Sequence, residues 1–368
     1  MKIGILTSSR ADFGIYLPLL RKLFLDDYFE PEIIAFGTHL SDRFGNTIQE
    51  IEKSGFFVKH KIQTVPEEDS PYAIASSIGK TVEKFSSFWV NNTFDLVFAL
   101  GDRFEMLGAA LAGSPFNVPF AHIHAGETTL GAVDNAYRHS ISLMSKYLFV
   151  STEQYKKRAI EISQNPNTVF NVGALSIDNL KKEKLFTKEE FYERFNIDLN
   201  IPTILTTFHP ETVGYEKNKI YIRELVNALN ELSNRYQIVI TMPNADTEGL
   251  MIRKQLKELG EKNKKVILVE SFGMKGYLSC MKYSQFLLGN TSSGFVEAAY
   301  FPKWVINLGH RQDGRINTPN ILTIPITKSE IITAVQKIEK LPESAPESNI
   351  YGDGNAANNI IRTVKQLF

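Results

Sequence analysis

Short apolar runs alternate with helical patterns along the first half of the chain. The runs are rich in branched and aromatic residues, which favours buried parallel strands. They are Lys2 to Thr7, Glu32 to Phe36, Phe57 to Ile62, Asp95 to Leu100, Val118 to Ile123 and Tyr147 to Val150. Between them, apolar residues recur at helical spacing, as in Ile15 to Phe24 and Tyr72 to Val90. This alternation predicts an α/β domain built on a parallel sheet.

A second series of strand-like runs follows in the second half. Its members are Thr203 to Thr207, Gln237 to Thr241, Val266 to Val269, Gln285 to Leu288 and Trp304 to Asn307. The charged stretch Lys181 to Asn200 carries no strand pattern, and we predict helices there. The sequence therefore predicts two Rossmann-like lobes, residues 1–180 and 181–354, with a closing helix over 355–368 that packs back on the first lobe.

Length and composition narrow the class of protein. A chain of 368 residues fits two domains. The 41 basic and 41 acidic residues balance, so no net field attracts nucleic acid or an anionic membrane. The single cysteine, Cys280, excludes an internal disulfide and is expected in the core. Polar residues begin by Thr7, too early for a signal peptide, and no run approaches the ~20 apolar residues of a membrane span. We therefore expect a cytoplasmic protein.

Several familiar ligand motifs are absent from the sequence. It contains neither the GxGxxG pattern of dinucleotide-binding folds nor the P-loop of nucleoside triphosphatases. Cysteine and histidine do not occur at the spacing of metal ligands, so we expect no metal. Any bound anion must therefore be held by local features of the two lobes.

Two polar segments directly follow the strand-like runs that end at Leu100 and Ile123. Their sequences are GDRFEM (101–106) and HIHAGETTLGAVDNAYRH (122–139). Ligands of doubly wound sheets bind outside the carboxyl ends of the strands, so we expect the chemistry here. Carboxylates beside cations and imidazoles supply both proton acceptors and proton donors. The candidate residues are Asp102, Arg103, His122, His124, Glu127, Asp134, Arg138 and His139.

A purely structural interpretation explains part of this cluster. Asp134 can start a helix, and Arg138 can pair with it one turn later. His122 and His124 alternate with Ile123 and are predicted to share one face of the strand end. The structural interpretation leaves these two histidines unexplained, and a metal would need more ligands at this spacing.

A loop in the first lobe offers groups for an anion. SSRADFG (8–14) lies between the first strand and a helix predicted to start near Gly14. Free backbone N–H groups at a helix start favour an anion, and Arg10 adds a cation with bidentate geometry. Asp12 is either a further ligand-binding residue or the helix cap.

Two loops in the second lobe have the same character. GNTSSG (289–294) offers Ser292, Ser293 and backbone N–H groups at the start of a predicted helix. Glu297, one turn later, can accept hydrogen bonds from two ribose hydroxyls. FHPET (208–212) puts His209 after the first strand of this lobe, where it can bond a phosphate, carry a proton or be structural.

Taken in order, these motifs resemble the hydrolysing UDP-N-acetylglucosamine 2-epimerases of sialic-acid-type sugar synthesis. The matching segments are SRADFG, GDRFE, HIHAGETT with DNAYRHS, FHPE, GNTSSG, INLGHRQDGR and IYGDGNA. They extend over nearly the whole chain, which makes the resemblance specific. It implies the glycosyltransferase-B architecture with UDP in the cleft, a UDP-sugar as ligand, no cofactor, and a homodimer or homotetramer.

The resemblance assigns UDP to the second lobe. The diphosphate would lie on Ser292 and Ser293, and the ribose on Glu297. His209 and Arg10 would also contact the phosphates. The remaining residues expected to touch substrate are Asp12, Arg103, Arg138, His139 and, closing the cleft, Arg315.

The resemblance also assigns catalytic groups. Asp102 and Asp134 match the family's catalytic acids. Animal members have a glutamate where this chain has His124, and this chain has one extra residue before Asp134. Some bacterial members share the HIH sequence, so either His124 or Glu127 takes over the role of that glutamate.

The implied reaction converts UDP-N-acetylglucosamine to N-acetylmannosamine and UDP through a 2-acetamidoglucal. It needs no nicotinamide and no metal. The same reaction on UDP-N,N'-diacetylbacillosamine is the alternative. A non-hydrolysing epimerase fits less well, since its relatives typically carry GTRPE and HVEAG in place of SSRAD and HIHAG. A retaining glycosyltransferase and a non-catalytic UDP-sugar-binding protein are further alternatives.

Overall fold

The computed structural model describes residues 1–42, 46–64, 70–182, 184–243, 248–343, 345 and 349–368. The chain divides into two compact units. The first comprises Met1–Glu127, Val133–Lys181 and Ile350–Phe368. The second comprises Thr128–Ala132 and Lys182–Asn349. Residues 128–132 of the second polar segment therefore belong to a different unit from the residues on either side of them.

The first unit is built on a sheet of seven parallel strands in the order β3-β2-β1-β4-β5-β6-β7. The strands are β1 (Lys2–Thr7), β2 (Glu30–Phe36), β3 (Val58–Ile62), β4 (Leu96–Leu100), β5 (Phe120–Ile123), β6 (Tyr147–Val150) and β7 (Val169–Asn171). Its helices are α1 (Arg10–Leu23), α2 (Ile48–Lys53), α3 (Pro71–Asn91), α4 (Phe104–Gly113), α5 (Asp134–Leu143), α6 (Glu153–Ser163), α7 (Leu175–Lys182) and α14 (Ala356–Leu367). Strands at the sheet centre are buried throughout, as a parallel sheet requires.

The second unit repeats this topology with six parallel strands in the order β10-β9-β8-β11-β12-β13. The strands are β8 (Thr203–Thr207), β9 (Gln237–Thr241), β10 (Val266–Val269), β11 (Phe286–Gly289), β12 (Val305–Leu308) and β13 (Ile321–Ile324). The helices are α8 (Lys188–Phe195), α9 (Asn218–Leu232), α10 (Gly249–Lys262), α11 (Gly273–Tyr283), α12 (Glu297–Tyr300) and α13 (Lys328–Ile338). Cys280 lies in the core of this unit, as predicted.

Strand order reverses at one point in each sheet. In the first unit the reversal lies between β1 and β4, and in the second between β8 and β11. Loops leaving the carboxyl ends of two such strands diverge and leave a crevice, which is where doubly wound folds bind ligands. The loops that begin at Ser8 and Gly101 flank the first reversal, and those that begin at Phe208 and Asn290 flank the second.

All the predicted strands are present, to within two residues at each end. The pattern missed β7 and β13, which lie at the edges of their sheets. Edge strands are covered less completely, and both carry partly exposed positions instead of a continuous apolar run. The predicted helical stretch from Lys181 to Asn200 contains the end of α7 and all of α8, while residue 183 lies outside the described part of the chain.

Helix α1 starts at Arg10, four residues before the start near Gly14 that the sequence predicts. Ser9 is the N-cap with extended backbone, and Asp12 occupies the third helical position of a capping box. Such a box satisfies backbone N–H groups that the first turn leaves without partners. Arg10 and Asp12 therefore lie in the first turn of a helix and not in a loop.

The last helix, α14, packs against α1 within the first unit. The Asp178 carboxylate of α7 accepts hydrogen bonds from the backbone N–H groups of Ala356 (2.8 Å) and Ala357 (2.9 Å). A carboxylate at a helix start complements both the free N–H groups and the helix dipole. No helix in the described ranges is long and apolar enough to cross a membrane.

Candidate active site

Arg138 of α5 gathers three of the predicted residues in the first unit. Its guanidinium is 3% exposed and donates a hydrogen bond to the Asp102 carboxylate. It also donates to the His124 carbonyl at 3.0 Å and lies 3.7 Å from a carboxylate oxygen of Glu127. A pairing between Arg138 and Asp134 was the structural alternative in the sequence, but the guanidinium reaches across to the end of β4 instead. Arg138 thereby joins α5 to the ends of β4 and β5.

Glu127 and His124 lie side by side after β5. The Glu127 side chain is 2% exposed, and its Oε1 lies 3.4 Å from His124 Nδ1. The Ser151 hydroxyl donates to the same oxygen at 3.3 Å. A carboxylate at Nδ1 favours the imidazole form that carries a proton there and stabilises the imidazolium. These two residues therefore form a pair suited to proton transfer.

His124 does not continue the strand. Strand β5 ends at Ile123, and His124 has a φ of +66°, in the left-handed region that residues other than glycine rarely adopt. The predicted alternation of His122 and His124 on one strand face therefore stops at Ile123. The left-handed residue turns the chain out of the sheet and toward Glu127.

His122 is a structural residue at the centre of the sheet. It is fully buried, with Nδ1 2.9 Å from the Ser142 hydroxyl and Nε2 2.7 Å from the Gly101 carbonyl. Because a carbonyl only accepts, Nε2 carries the proton, and Ser142 donates to Nδ1. Burial lowers the pKa of His122 to about 3, so the ring is neutral at physiological pH.

Asp134 and His139 lie on α5 on either side of Arg138 in sequence. Asp134 is the first residue of the helix and is partly exposed. Burial raises the pKa of the neighbouring Tyr137, and the charge of Asp134 acts in the same direction. Burial lowers the pKa of His139, as do nearby cations, chiefly Arg138, while Asp102 opposes them. Asp102 and His139 are therefore close enough to influence each other.

Arg103 belongs to a second cluster. Its Nε and Nη2 donate to the Glu105 carboxylate at 3.1 and 2.9 Å. Glu105 is fully buried, and burial raises the pKa of its carboxyl group against the effect of Arg103. Arg103 and Glu105 thus form a local pair at the start of α4, and the convergence of Arg103 with Asp102 and Arg138 stays a prediction.

Asp12 is committed to the loop that precedes α1. Its carboxylate accepts from the backbone N–H groups of Ser8 (2.7 Å) and Ser9 (2.8 Å) and from the Thr7 hydroxyl (3.0 Å). These hydrogen bonds hold the loop as part of the capping box that Asp12 forms with Ser9. Arg10 next to it is partly exposed, and its charge opposes the upward effect of burial on the pKa of Glu50.

His39 and Glu105 are not among the candidate site residues that the sequence predicts. His39 is fully buried after β2, with Nε2 2.9 Å from the Thr7 hydroxyl and Nδ1 2.9 Å from the Thr47 hydroxyl. Burial lowers the pKa of His39, whereas the nearby Asp12 raises it. Glu105 follows β4, which borders the first reversal, and His39 follows β2, the neighbour of β1. The strand-end rule could therefore have found Glu105 directly and His39 one strand away.

Asn290 organises the corresponding region of the second unit. Its side chain is fully buried, accepts from the His209 N–H at 2.7 Å and donates to the His209 carbonyl at 2.8 Å. The Asn290 carbonyl accepts from the Gln312 amide at 2.7 Å, and Gln312 in turn accepts from Arg315 Nε at 2.6 Å. Asn290 therefore holds the His209 loop through its side chain and, through its backbone carbonyl and Gln312, the loop that carries Arg315. Asn290 lies in the motif GNTSSG, but nothing in the sequence distinguishes it from its neighbours.

Ser292, Ser293 and Glu297 follow β11 as predicted, but the helix that they open is short. Ser292–Gly294 form a single 3₁₀ turn, and α12 contains only four residues. The expected helix dipole is correspondingly small. A Cβ atom at Gly289 would lie 2.0 Å from the Thr207 carbonyl oxygen, so this glycine is needed for close approach of β11 to β8.

Segment 128–132 is part of the second unit. The Leu130 N–H donates to the Asp313 carbonyl at 2.9 Å. Gly131 packs so closely that a Cβ atom there would lie 2.4 Å from the His310 carbonyl oxygen. The second polar segment therefore supplies Glu127 and Asp134 to one unit and residues 128–132 to the other.

Comparison with known proteins finds relatives along the whole chain. Residues 21–365 match the family model described as UDP-N-acetylglucosamine 2-epimerase. The "Polysialic acid biosynthesis protein P7" of Escherichia coli is 34% identical over 371 residues, covering 100% of this chain and 94% of that protein. The "UDP-N,N'-diacetylbacillosamine 2-epimerase (hydrolyzing)" of Legionella pneumophila is 32% identical over 366 residues, covering 100% and 96%.

Solved structures agree on the fold. The UDP-GlcNAc 2-epimerase from Neisseria meningitidis, crystallised with UDP-GlcNAc, matches with a TM-score of 0.83 at 19% identity, covering 100% of both chains. The two parallel α/β lobes thus have the glycosyltransferase-B-like architecture that the sequence predicted.

The neutral His122 predicts a specific pH dependence of stability. Below pH ~6.5 the imidazole of His122 binds a proton in the unfolded chain but stays neutral in the native protein. The free energy of unfolding therefore falls as the pH is lowered from about 6.5 to 3. The titration of His122 changes the free energy of unfolding by at most about 1.4 kcal/mol per pH unit. Urea unfolding of His122→Asn should show a shallower loss between pH 6.5 and 4.5 than the wild type. The exposed His310→Asn is the control, and equal slopes for all three proteins would refute the assignment.

Proposed function

The chain belongs to the UDP-N-acetylglucosamine 2-epimerase family, and from this premise we propose that it is a hydrolysing 2-epimerase. Its reaction converts UDP-N-acetylglucosamine and water to N-acetylmannosamine and UDP. The observation that carries the proposal is the buried Arg138 cluster with Asp102, His124 and Glu127. It supplies carboxylates and an imidazole at the strand ends where such folds bind substrate.

The chemistry of the sugar explains why such groups are needed. The C2 hydrogen is not acidic, because no carbonyl lies beside it. The C1–O bond therefore breaks first, with its electron pair leaving on UDP and positive charge developing at C1. Loss of the C2 proton then gives a 2-acetamidoglucal. Water adds its oxygen to C1 while a proton is delivered to the opposite face of C2, which yields N-acetylmannosamine.

We assign these steps to residues of the first unit. Asp102 is an anion paired with Arg138 and stabilises the positive charge at C1. Asp134, partly exposed at the start of α5, removes the C2 proton. His124, with Glu127 against its Nδ1, delivers the proton to the other face. His124 and Glu127 thus share the role that one glutamate has in animal members of the family.

We assign UDP binding to the second unit. Ser292 and Ser293 hold the diphosphate, Glu297 accepts hydrogen bonds from the ribose, and His209 and Arg315 contact the phosphates. Fixed donors around a leaving diphosphate lower the barrier because they stabilise charge that grows in the transition state. The remaining candidates are expected to orient the substrate, namely Arg10, Asp12, Arg103 and His139.

A second candidate substrate is UDP-N,N'-diacetylbacillosamine. The Legionella pneumophila relative carries that substrate in its name. This sugar differs from N-acetylglucosamine at C4 and C6 and is the same at C1 and C2. The assigned acid and base groups serve both substrates, so only contacts to C4 and C6 separate them.

The reaction can be followed by NMR in deuterium oxide. We expect UDP-N-acetylglucosamine to give free UDP and N-acetylmannosamine with deuterium at C2, because the proton returned to C2 comes from solvent. If only UDP-N,N'-diacetylbacillosamine is converted, the second candidate replaces the first. A product still attached to UDP, or no turnover of either sugar, would falsify the proposal.

Asp134→Asn tests the assigned base. The variant should lower kcat on the order of 10³-fold, because a positioned base acts in the transition state. Calorimetry should show UDP affinity within about tenfold of wild type, since binding does not need the base. Asp353→Asn, an exposed acid of the same unit, should behave as wild type. Equal losses of UDP binding and kcat would make Asp134 a structural residue.

Glu127→Gln tests the shared role of His124 and Glu127. The amide keeps the shape of the side chain but no longer stabilises an imidazolium at Nδ1. The alkaline limb of the kcat profile should move to lower pH, and the same limb should be absent in His124→Gln. Glu153→Gln, exposed on α6, is the control. A uniform loss of kcat with an unshifted profile argues against the pair.

A further inference from the structure

Two hydrogen-bonded pairs of hydroxyl groups lie beneath the loop that follows β11. Thr207 and Thr241 end β8 and β9, are paired in register, and hydrogen-bond through their hydroxyls. The Tyr277 hydroxyl of α11 lies 2.5 Å from Ser293 Oγ, within hydrogen-bonding distance. Thr207 is near enough to Tyr277 to lower its pKa. This row of hydroxyls, which we call the hydroxyl chain, thus runs from the strand ends past Tyr277 to Ser293.

The chain has a buried end and a partly exposed end. Thr207 and Thr241 are buried, whereas Ser293 is partly exposed in the 3₁₀ turn after β11. Strands β8 and β11 flank the strand-order reversal of this sheet. The exposed end therefore lies at the position where doubly wound folds bind ligands.

An anion at this position would fix the direction of the hydrogen bond between Tyr277 and Ser293. Phosphate oxygens only accept, so Ser293 must donate to them. The Ser293 oxygen then accepts from the Tyr277 hydroxyl. Hydrogen bonds in such chains polarise one another, which makes the terminal hydroxyl a stronger donor.

We propose that Tyr277 is a positioning residue for the diphosphate of UDP, holding Ser293 so that its hydroxyl donates to the ligand. The inference rests on the proposed function, since it takes UDP as the ligand of this loop. Tyr277 does not touch the diphosphate; it acts through Ser293.

Two features of the region fit this role. The following helix, α12, has only four residues, so the loop lacks the dipole of a long helix and must rely on individual donors. Burial raises the pKa of Tyr277 to about 12, and the nearby Glu297 acts in the same direction. Tyr277 therefore keeps the proton that it donates to Ser293 throughout the physiological pH range.

Tyr277→Phe removes one hydroxyl and keeps the ring. We expect calorimetry to show a roughly fivefold weaker affinity for UDP, the size of one lost hydrogen bond. Uridine, which has no diphosphate, should bind as it does to wild type. KM should rise with little change in kcat. Tyr283→Phe, a tyrosine of the same helix outside the hydroxyl chain, should leave all of these values unchanged.

A double-mutant cycle separates positioning from general damage. In a Ser293→Ala background, Tyr277→Phe should cause no further loss of UDP affinity, because the group through which it acts is gone. Equal losses in both backgrounds, equal losses for UDP and uridine, or an unchanged UDP affinity would each overturn the inference. UDP affinity is measured without turnover, so wild-type protein that binds UDP but converts neither sugar would refute the proposed reaction and leave this test intact.

Discussion

The buried guanidinium of Arg138 is the constraint on which the proposed catalytic cluster of the first unit depends. A cation in a low-dielectric interior is tolerated only when anions and carbonyl oxygens surround it. Here those partners are the Asp102 carboxylate, the His124 carbonyl and, at 3.7 Å, Glu127. Asp102 follows β4, whereas His124 and Glu127 both follow β5, so the partners of one charge on α5 also fix β4, β5 and α5 relative to each other.

The loops at the corresponding strand ends of the second unit are held together by hydrogen bonds between neutral groups. The buried Asn290 amide exchanges two hydrogen bonds with the backbone of His209, and its carbonyl accepts from Gln312. The proposed division of labour assigns the groups that move protons to the first unit and the groups that hold UDP to the second.

Local sequence predicted most of the framework and part of the site. The central strands appear as apolar runs because both faces of a parallel sheet are buried, whereas the edge strands β7 and β13 lack that pattern. Helix α1 begins four residues before the predicted start near Gly14 because the capping box of Ser9 and Asp12 sets its boundary. His39 has no other charged residue beside it in sequence, whereas Glu105 lies within the polar segment GDRFEM and only its burial next to Arg103 distinguishes it.

What the sequence determined by itself is where the chemistry-bearing residues stand: directly after parallel strands, at the edge of the sheet where ligands bind. Only the tertiary structure decided which of them meet. Arg138 pairs with Asp102, 36 residues away, because β4 and β5 are neighbours in the sheet, and Arg103 pairs with the buried Glu105. The left-handed backbone of His124 and the placement of segment 128–132 in the second unit are likewise products of packing. Strand periodicity is local, but the choice of partner for a buried charge depends on what the folded chain brings within reach.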